Sequence, residues 1–374
     1  MEKSTLGIYV HIPFCKSKCR YCDFCSFPRC DREQMDAYVS ALLRGIEEYA
    51  PRAKGRVVDT VFFGGGTPTS LPSELLCGVL ERIKSCYDIS EDAEISSEVN
   101  PATANFDYFV KMRAAGFNRI SIGVQSANEN ELSLLGRIHS FDDARVTVGE
   151  ARRAGFLNIG VDVMFGIPDQ TAESFMNTLE RVISLGVDHI SMYGLQLEEG
   201  TPLWKMQDEL TFPSEDDEKR MYMEGVELLA KGSYERYEIS NFAKKGYHSR
   251  HNLRYWLDEE YLGFGLSAHS YFLGTRYFNT ESMSDYLSGN TVLGEDIISR
   301  EEQMNEYVML AMRLERGIDT KAFKACFGVD FYEKFGKIER FIDGGFVKKT
   351  LDGYAFTSEG MYVSNYILSE ILDF

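Results

Sequence analysis

Four cysteines fall in the segment FCKSKCRYCDFCSF, Phe14 to Phe27. Cys15, Cys19 and Cys22 form C-x3-C-x2-C; Cys19, Cys22 and Cys25 form an overlapping C-x2-C-x2-C. On a helix the first set would lie on one face as a buried stripe. Pro13 just ahead, and Lys16, Ser17, Lys18, Arg20 and Asp23 in between, predict an exposed loop after a strand instead. Structural zinc takes four ligands, usually as two paired half-sites. The chain has no second C-x2-C, and His11 completes such a site poorly. A ferredoxin run continues to a fourth cysteine followed by proline, but Arg29 and then Cys30 stand there, out of register. The set Cys15, Cys19 and Cys22 gives three thiolates to a four-iron cluster. One iron is then left open to a ligand that can chelate it.

Further candidates stand at the ends of strand-like runs. In FFGGGTPT, Gly64, Gly65 and Gly66 precede Thr67; glycines allow close approach of backbone to a ligand, or simply make a turn. Glu98 in SSEVNP and Asp162 in GVDVMFGIPDQT can serve a ligand or cap the next helix. The isolated Cys77, Cys86 and Cys326 read as small buried apolar residues.

The elements that must position these groups alternate up to about residue 230. Strand-like LGIYVHI, VVDTVFFGG, AEISSEV, RISIGVQ, NIGVDVMFGI and HISMYGLQL are separated by amphipathic patterns such as Tyr38, Leu42, Leu43, Ile46, Tyr49. Glycines in AAGF, RAGF and SLGV suit helix ends. Six β/α units predict a parallel α/β sheet with right-handed crossovers. They are too few for a closed eight-stranded barrel, so the expected fold is a partial (β/α)6 barrel, with a doubly wound sheet as the competing architecture. Either places the site at the carboxyl ends of the strands. The expected divisions are a core over 1–230, an aromatic- and glycine-rich segment with few helical signals over 231–300, and a small α+β, winged-helix-like unit over 301–374. Its Asp352-Gly353 suits a hairpin turn.

Of 374 residues, 44% are hydrophobic, enough for a large core, and the formal net charge is −18. That field disfavours phosphate neutralisation on nucleic acid and adhesion to an anionic leaflet. No apolar run approaches the roughly 20 residues of a membrane span. The first residues lack a signal-peptide pattern. The expected compartment is the reducing cytoplasm, where clustered thiols serve metal or catalysis.

C-x3-C-x2-C with Tyr21 before the last cysteine resembles the radical S-adenosylmethionine (SAM) superfamily. The resemblance implies a [4Fe-4S] cluster on Cys15, Cys19 and Cys22, whose open iron takes the amino and carboxylate groups of SAM. One electron then splits the sulfonium to a 5′-deoxyadenosyl radical. The order of further motifs is similar to that of the anaerobic coproporphyrinogen III dehydrogenase branch. There, Tyr9, Gly65 and Glu98 would contact the cluster-bound SAM; Tyr21, Gly66, Thr67, Gln125, Arg137 and Asp162 would contact a second SAM.

Two features depart from the dehydrogenase. Position 24 is Phe where that enzyme has its fourth cysteine, so Cys25 reads as a non-ligand near the cluster. The chain also starts only eight residues before Tyr9, without the enzyme's N-terminal extension. HNLRYW, His251 to Trp256, resembles instead the H-N-x-x-Y-W motif of heme chaperones in this branch. That makes His251 a candidate axial ligand for heme, against the alternative of a hydrogen-bonded core histidine; His248 and His269 are weaker candidates. Asp258, Glu259 and Glu260 read as a solvated face. The implied function is a heme chaperone with a heme acceptor protein and a flavodoxin- or ferredoxin-type reductant as partners; dimerisation stays open. A coproporphyrinogen III dehydrogenase and a radical SAM methyltransferase are the alternatives.

Overall fold

The computed structural model describes residues 4–372. Strands β1 (Thr5–Ile12), β2 (Val57–Gly65), β3 (Ile89–Val99), β4 (Arg119–Gln125), β5 (Asn158–Phe165) and β6 (His189–Gly194) pair in parallel and in chain order. Helices α1 (Arg32–Tyr49), α2 (Ser73–Cys86), α3 (Phe106–Ala115), α4 (Phe141–Arg153), α5 (Ala172–Ser184) and α6 (Glu215–Lys231) follow them in turn. Strand order never reverses along these six, so there is no switch point and the sheet is not doubly wound.

Residues alternate along β1. Leu6, Ile8, Val10 and Ile12 are fully buried in the hydrophobic core. Gly7, Tyr9 and His11 point the other way, into the lumen, where Tyr9 stacks on Phe62 of β2. The lumen is polar, holding Thr60, Glu94, Ser96, Arg119 and His189 out of solvent. Amphipathic α5, with Phe175, Leu179 and Val182 buried, typifies the outer layer. Gly116 ends α3 in the left-handed region at φ 109, which a side chain would resist.

The six expected units are joined by a seventh parallel strand. After β7 (Glu235–Arg236) and β8 (Asn241–Ala243), which extend the sheet beyond β6, helix α7 (Arg250–Trp256) leads to the opposite flank. There β9 (Tyr261–Phe264) pairs in parallel with β1, and β10 (His269–Phe272), β11 (Thr275–Asn279) and β12 (Val292–Ile297) continue antiparallel. Four residues containing a glycine were too short for sequence periodicity to reveal β9.

Helix α7 corrects the expectation of few helical signals after residue 230, because HNLRYW is itself helical. Ser249 caps it, and the Glu94 carboxylate accepts the N–H groups of Arg250 and His251 at 3.0 and 3.1 Å. A negative charge at a helix N-terminus is stabilising. Of the acidic run, Glu259 is exposed as expected, 3.2 Å from Arg254, whereas Asp258 and Glu260 are half-buried and pair with Arg276 (3.7 Å) and Arg56.

Beyond α8 (Arg300–Met312) lies a three-stranded sheet of Ile318–Asp319, Val347–Lys349 and Gly353–Phe356 among short helices. Gly353 does close the hairpin, yet its φ is not positive. A Cβ there would fall 2.3 Å from the Ile318 carbonyl oxygen, so strand approach demands the glycine. Among the described residues, no helix is long and apolar enough to cross a membrane.

Candidate metal and cofactor site

A cavity of about 390 Å³ opens at the carboxyl ends of the parallel strands, under the cysteine loop. Cys15, Cys19 and Cys22 all line it. The loop is pinned from both sides: Gly66 N–H donates to the Ile12 carbonyl at 2.9 Å, and Thr67 N–H to the Phe14 carbonyl at 2.8 Å. Gly66 is needed because a Cβ would lie 2.8 Å from the Phe14 oxygen and 3.0 Å from Cys15 Sγ. Gly65 sits at φ 113, and its Cβ would strike the His11 ring at 2.7 Å. The glycines therefore answer first to the protein's own packing.

One hydrogen-bonded chain links the cysteine loop to the strands behind it. Asn100 Nδ2 donates to Thr67 Oγ1 at 2.7 Å. That hydroxyl is then free to donate to Cys15 Sγ, 3.6 Å away. Asn100 Oδ1 accepts from Arg137 at 2.9 Å. The Arg137 guanidinium lies 5.9 Å from the Tyr21 ring centroid, and its Nε is buried without a partner among the described residues.

Gln125 sits at φ 67 just past a register shift in β4, a strained position for a non-glycine. The bulge re-aims its side chain, whose Oε1 accepts from Tyr193 at 2.8 Å. Asp162 Oδ1 accepts from Ser121 at 3.0 Å. Burial pushes the Asp162 carboxyl up; burial and the nearby Asp162 push Glu98 up to about 8. Glu98 is therefore neutral at pH 7. Burial likewise raises the Cys15 and Cys22 thiols, so metal uptake must displace protons.

The cavity thus gathers Tyr21, Gly65, Gly66, Thr67, Glu98, Gln125, Arg137 and Asp162 with the three cysteines. Two candidates fall elsewhere. Tyr9 lines a neighbouring cavity, its hydroxyl 3.1 Å from His11 Nδ1. His251 is fully buried on α7: Nδ1 lies 3.0 Å from Thr60 Oγ1 and Nε2 2.8 Å from the Tyr255 hydroxyl, while its ring stacks on Phe62. Burial lowers its pKa to about 3. Both ring nitrogens are thus hydrogen-bonded to hydroxyls, the arrangement of the alternative reading, a hydrogen-bonded core histidine. His248 stacks on Tyr237 at 4.3 Å, and His269 is exposed. Cys25 lines the neighbouring cavity rather than the one holding the other three thiols. Cys77 and Cys86 are half-buried and Cys326 is exposed, against the expectation of burial. Asn100, Tyr193 and Ser121 were missed; Asn100, two residues after Glu98 at the same strand end, carried a positional signal.

Among the described residues, no three His, Cys, Asp or Glu converge on one ion position. Three thiols spread around a cavity suit a multi-iron cluster, and the unpartnered Arg137 Nε and neutral Glu98 suit a polar ligand beside it. This arrangement, on sequentially ordered β/α units, is that of radical SAM proteins.

The sequence profile of the Radical SAM superfamily matches residues 9–182, and that of the HemN C-terminal domain matches residues 298–363. Heme chaperone HemW of Bacillus subtilis is 32% identical over 97% of this chain and 98% of its own. That of Escherichia coli is 32% identical over 98% of both. The solved structure of the E. coli coproporphyrinogen III oxidase HemN, a radical SAM enzyme, superposes with a TM-score of 0.85 at 26% identity, covering 98% of this chain and 90% of that one. The chain belongs to the radical SAM superfamily and, within it, to the HemW family.

Proposed function

We propose that this chain is a heme chaperone that holds a [4Fe-4S] cluster and SAM, binds heme, and passes it to an acceptor protein. The observation that carries the reading is identity of 32% along 98% of both chains with a relative named for that role. Cys15, Cys19 and Cys22 would anchor the cluster. Tyr9, Gly65 and Glu98 would contact the SAM beside it; Tyr21, Gly66, Thr67, Gln125, Arg137 and Asp162 would contact a second SAM. When bound, the cluster supplies one electron to the sulfonium of SAM. The protein's part is to orient and desolvate. Arg137 presents Nε, Glu98 enters as a neutral acid that can donate a hydrogen bond, and the Asn100–Thr67 chain holds the cysteine loop. A flavodoxin- or ferredoxin-type reductant, a cytoplasmic location and a homodimer complete the proposal. The likeness to HemN favours one competing reading, oxidative decarboxylation of coproporphyrinogen III.

The test is anaerobic cluster reconstitution followed by two parallel assays. A stoichiometric Soret shift on adding heme, with no protoporphyrinogen IX formed from coproporphyrinogen III, is expected. Turnover of coproporphyrinogen III would replace the chaperone reading with the dehydrogenase.

A further inference from the structure

A second cavity of about 450 Å³ adjoins the first, and Gly65 and Glu98 line both. Its walls carry the aromatic rings of Tyr9, Phe24, Tyr255 and Tyr261, with Cys25 and His269. Tyr255 and Tyr261 meet edge to face at 4.7 Å, and His251 Nε2 holds the Tyr255 hydroxyl from below. The second-cavity aromatics thus include the tyrosine of the HNLRYW motif, while the histidine of that motif stays beneath the wall.

The chain has six histidines. His11 is tied to Tyr9 and the Cys25 carbonyl, His139 to the Val124 carbonyl, His189 to Tyr237 and His251 to Thr60 and Tyr255. His248 stacks on Tyr237, and its Nε2 is buried without a partner among the described residues. His269 differs from all of these. It is exposed, lines the second cavity, and neither ring nitrogen has a hydrogen-bond partner among the described residues. Its ring is nonetheless held by stacking on Phe278 at 5.9 Å and 26°. Its backbone is fixed too, for a Cβ on Gly263 would fall 2.0 Å from the His269 carbonyl oxygen. A pre-oriented imidazole with a free lone pair, facing flat aromatic walls, has the chemistry of an axial ligand to porphyrin iron. Asp23 and Glu281, also in the lining, would repel propionates and so orient them outward to solvent.

We propose that the second cavity seats the heme, with His269 as its axial ligand and His251 acting as a positioning residue for Tyr255. This rests on the heme-chaperone reading and assigns its binding site. The shared wall of Gly65 and Glu98 sets the porphyrin against the cluster pocket.

The test titrates the full, anaerobically reconstituted chain with hemin and follows the Soret band, with cluster absorbance as the control for folding. His269→Gly is expected to keep its cluster and lose affinity roughly tenfold or more, the scale for disturbing a metal's ligation. Free imidazole should restore the band. His251→Ala is expected to weaken binding while leaving the electron paramagnetic resonance spectrum of the histidine-ligated ferric heme unchanged. Unchanged affinity and spectrum in His269→Gly would overturn the site, as would loss of the histidine signature in His251→Ala alone. Absence of any binding by the unsubstituted chain would overturn the chaperone reading itself, a result distinct from either.

Discussion

Replacing Glu98 by Gln separates the protonation of that carboxyl from everything else in the cavity. In the folded apoprotein Glu98 titrates near 8, against 4.5 for a free side chain, first because it is buried and second because Asp162 stands nearby. The folded state therefore keeps a proton that the unfolded chain has released throughout the interval between those values. The stability this proton confers is fully present below 4.5 and is lost as pH rises through 8. Linkage gives a slope of about −1.4 kcal/mol per pH unit inside the interval. Between pH 6 and pH 8 the unsubstituted protein should lose roughly 2 kcal/mol more than Glu98→Gln, whose amide stays neutral throughout. Urea unfolding of both apoproteins under anaerobic conditions measures it, and taking the difference removes contributions from raised acids outside the cavity, such as Glu238 and Asp258. Parallel pH profiles for the two proteins would refute the claim that this carboxyl is neutral at pH 7.

Three further outcomes are expected. Alanine at Cys15, Cys19 or Cys22 should abolish bound iron and sulfide and the cluster's visible absorption, whereas Cys25→Ala should retain both, because its thiol lines the other cavity. Gly66→Ala places a Cβ against the Phe14 oxygen and Cys15 Sγ and should cost about 1–3 kcal/mol, as overpacking does, read by urea unfolding alongside reduced iron content. Asn100→Ala unpairs Arg137 and Thr67 together; loss of a hydrogen bond to a charged group costs about 1.5–3 kcal/mol, and calorimetry should record weaker SAM binding.

The strands were legible because the apolar residues of a parallel β/α sheet recur with a fixed period. VVDTVFFGG and RISIGVQ are the observed β2 and β4, residue for residue. The cysteine loop was legible because three identical ligands within one loop need no tertiary contact to be brought near one another. Spacing and order along the strand ends likewise pointed to Glu98, Gln125 and Asp162. What sequence could not decide was where a side chain points once distant segments meet. His251 carried the motif most suggestive of a ligand, yet Thr60 lies 191 residues away in sequence and closes one of its nitrogens. His269 gave a weaker signal, and only the arrival of β9 beside β1 opens the wall on which it stands. Local pattern fixes which atoms are available for chemistry; burial and hydrogen bonding across the fold fix which of them remain free to perform it.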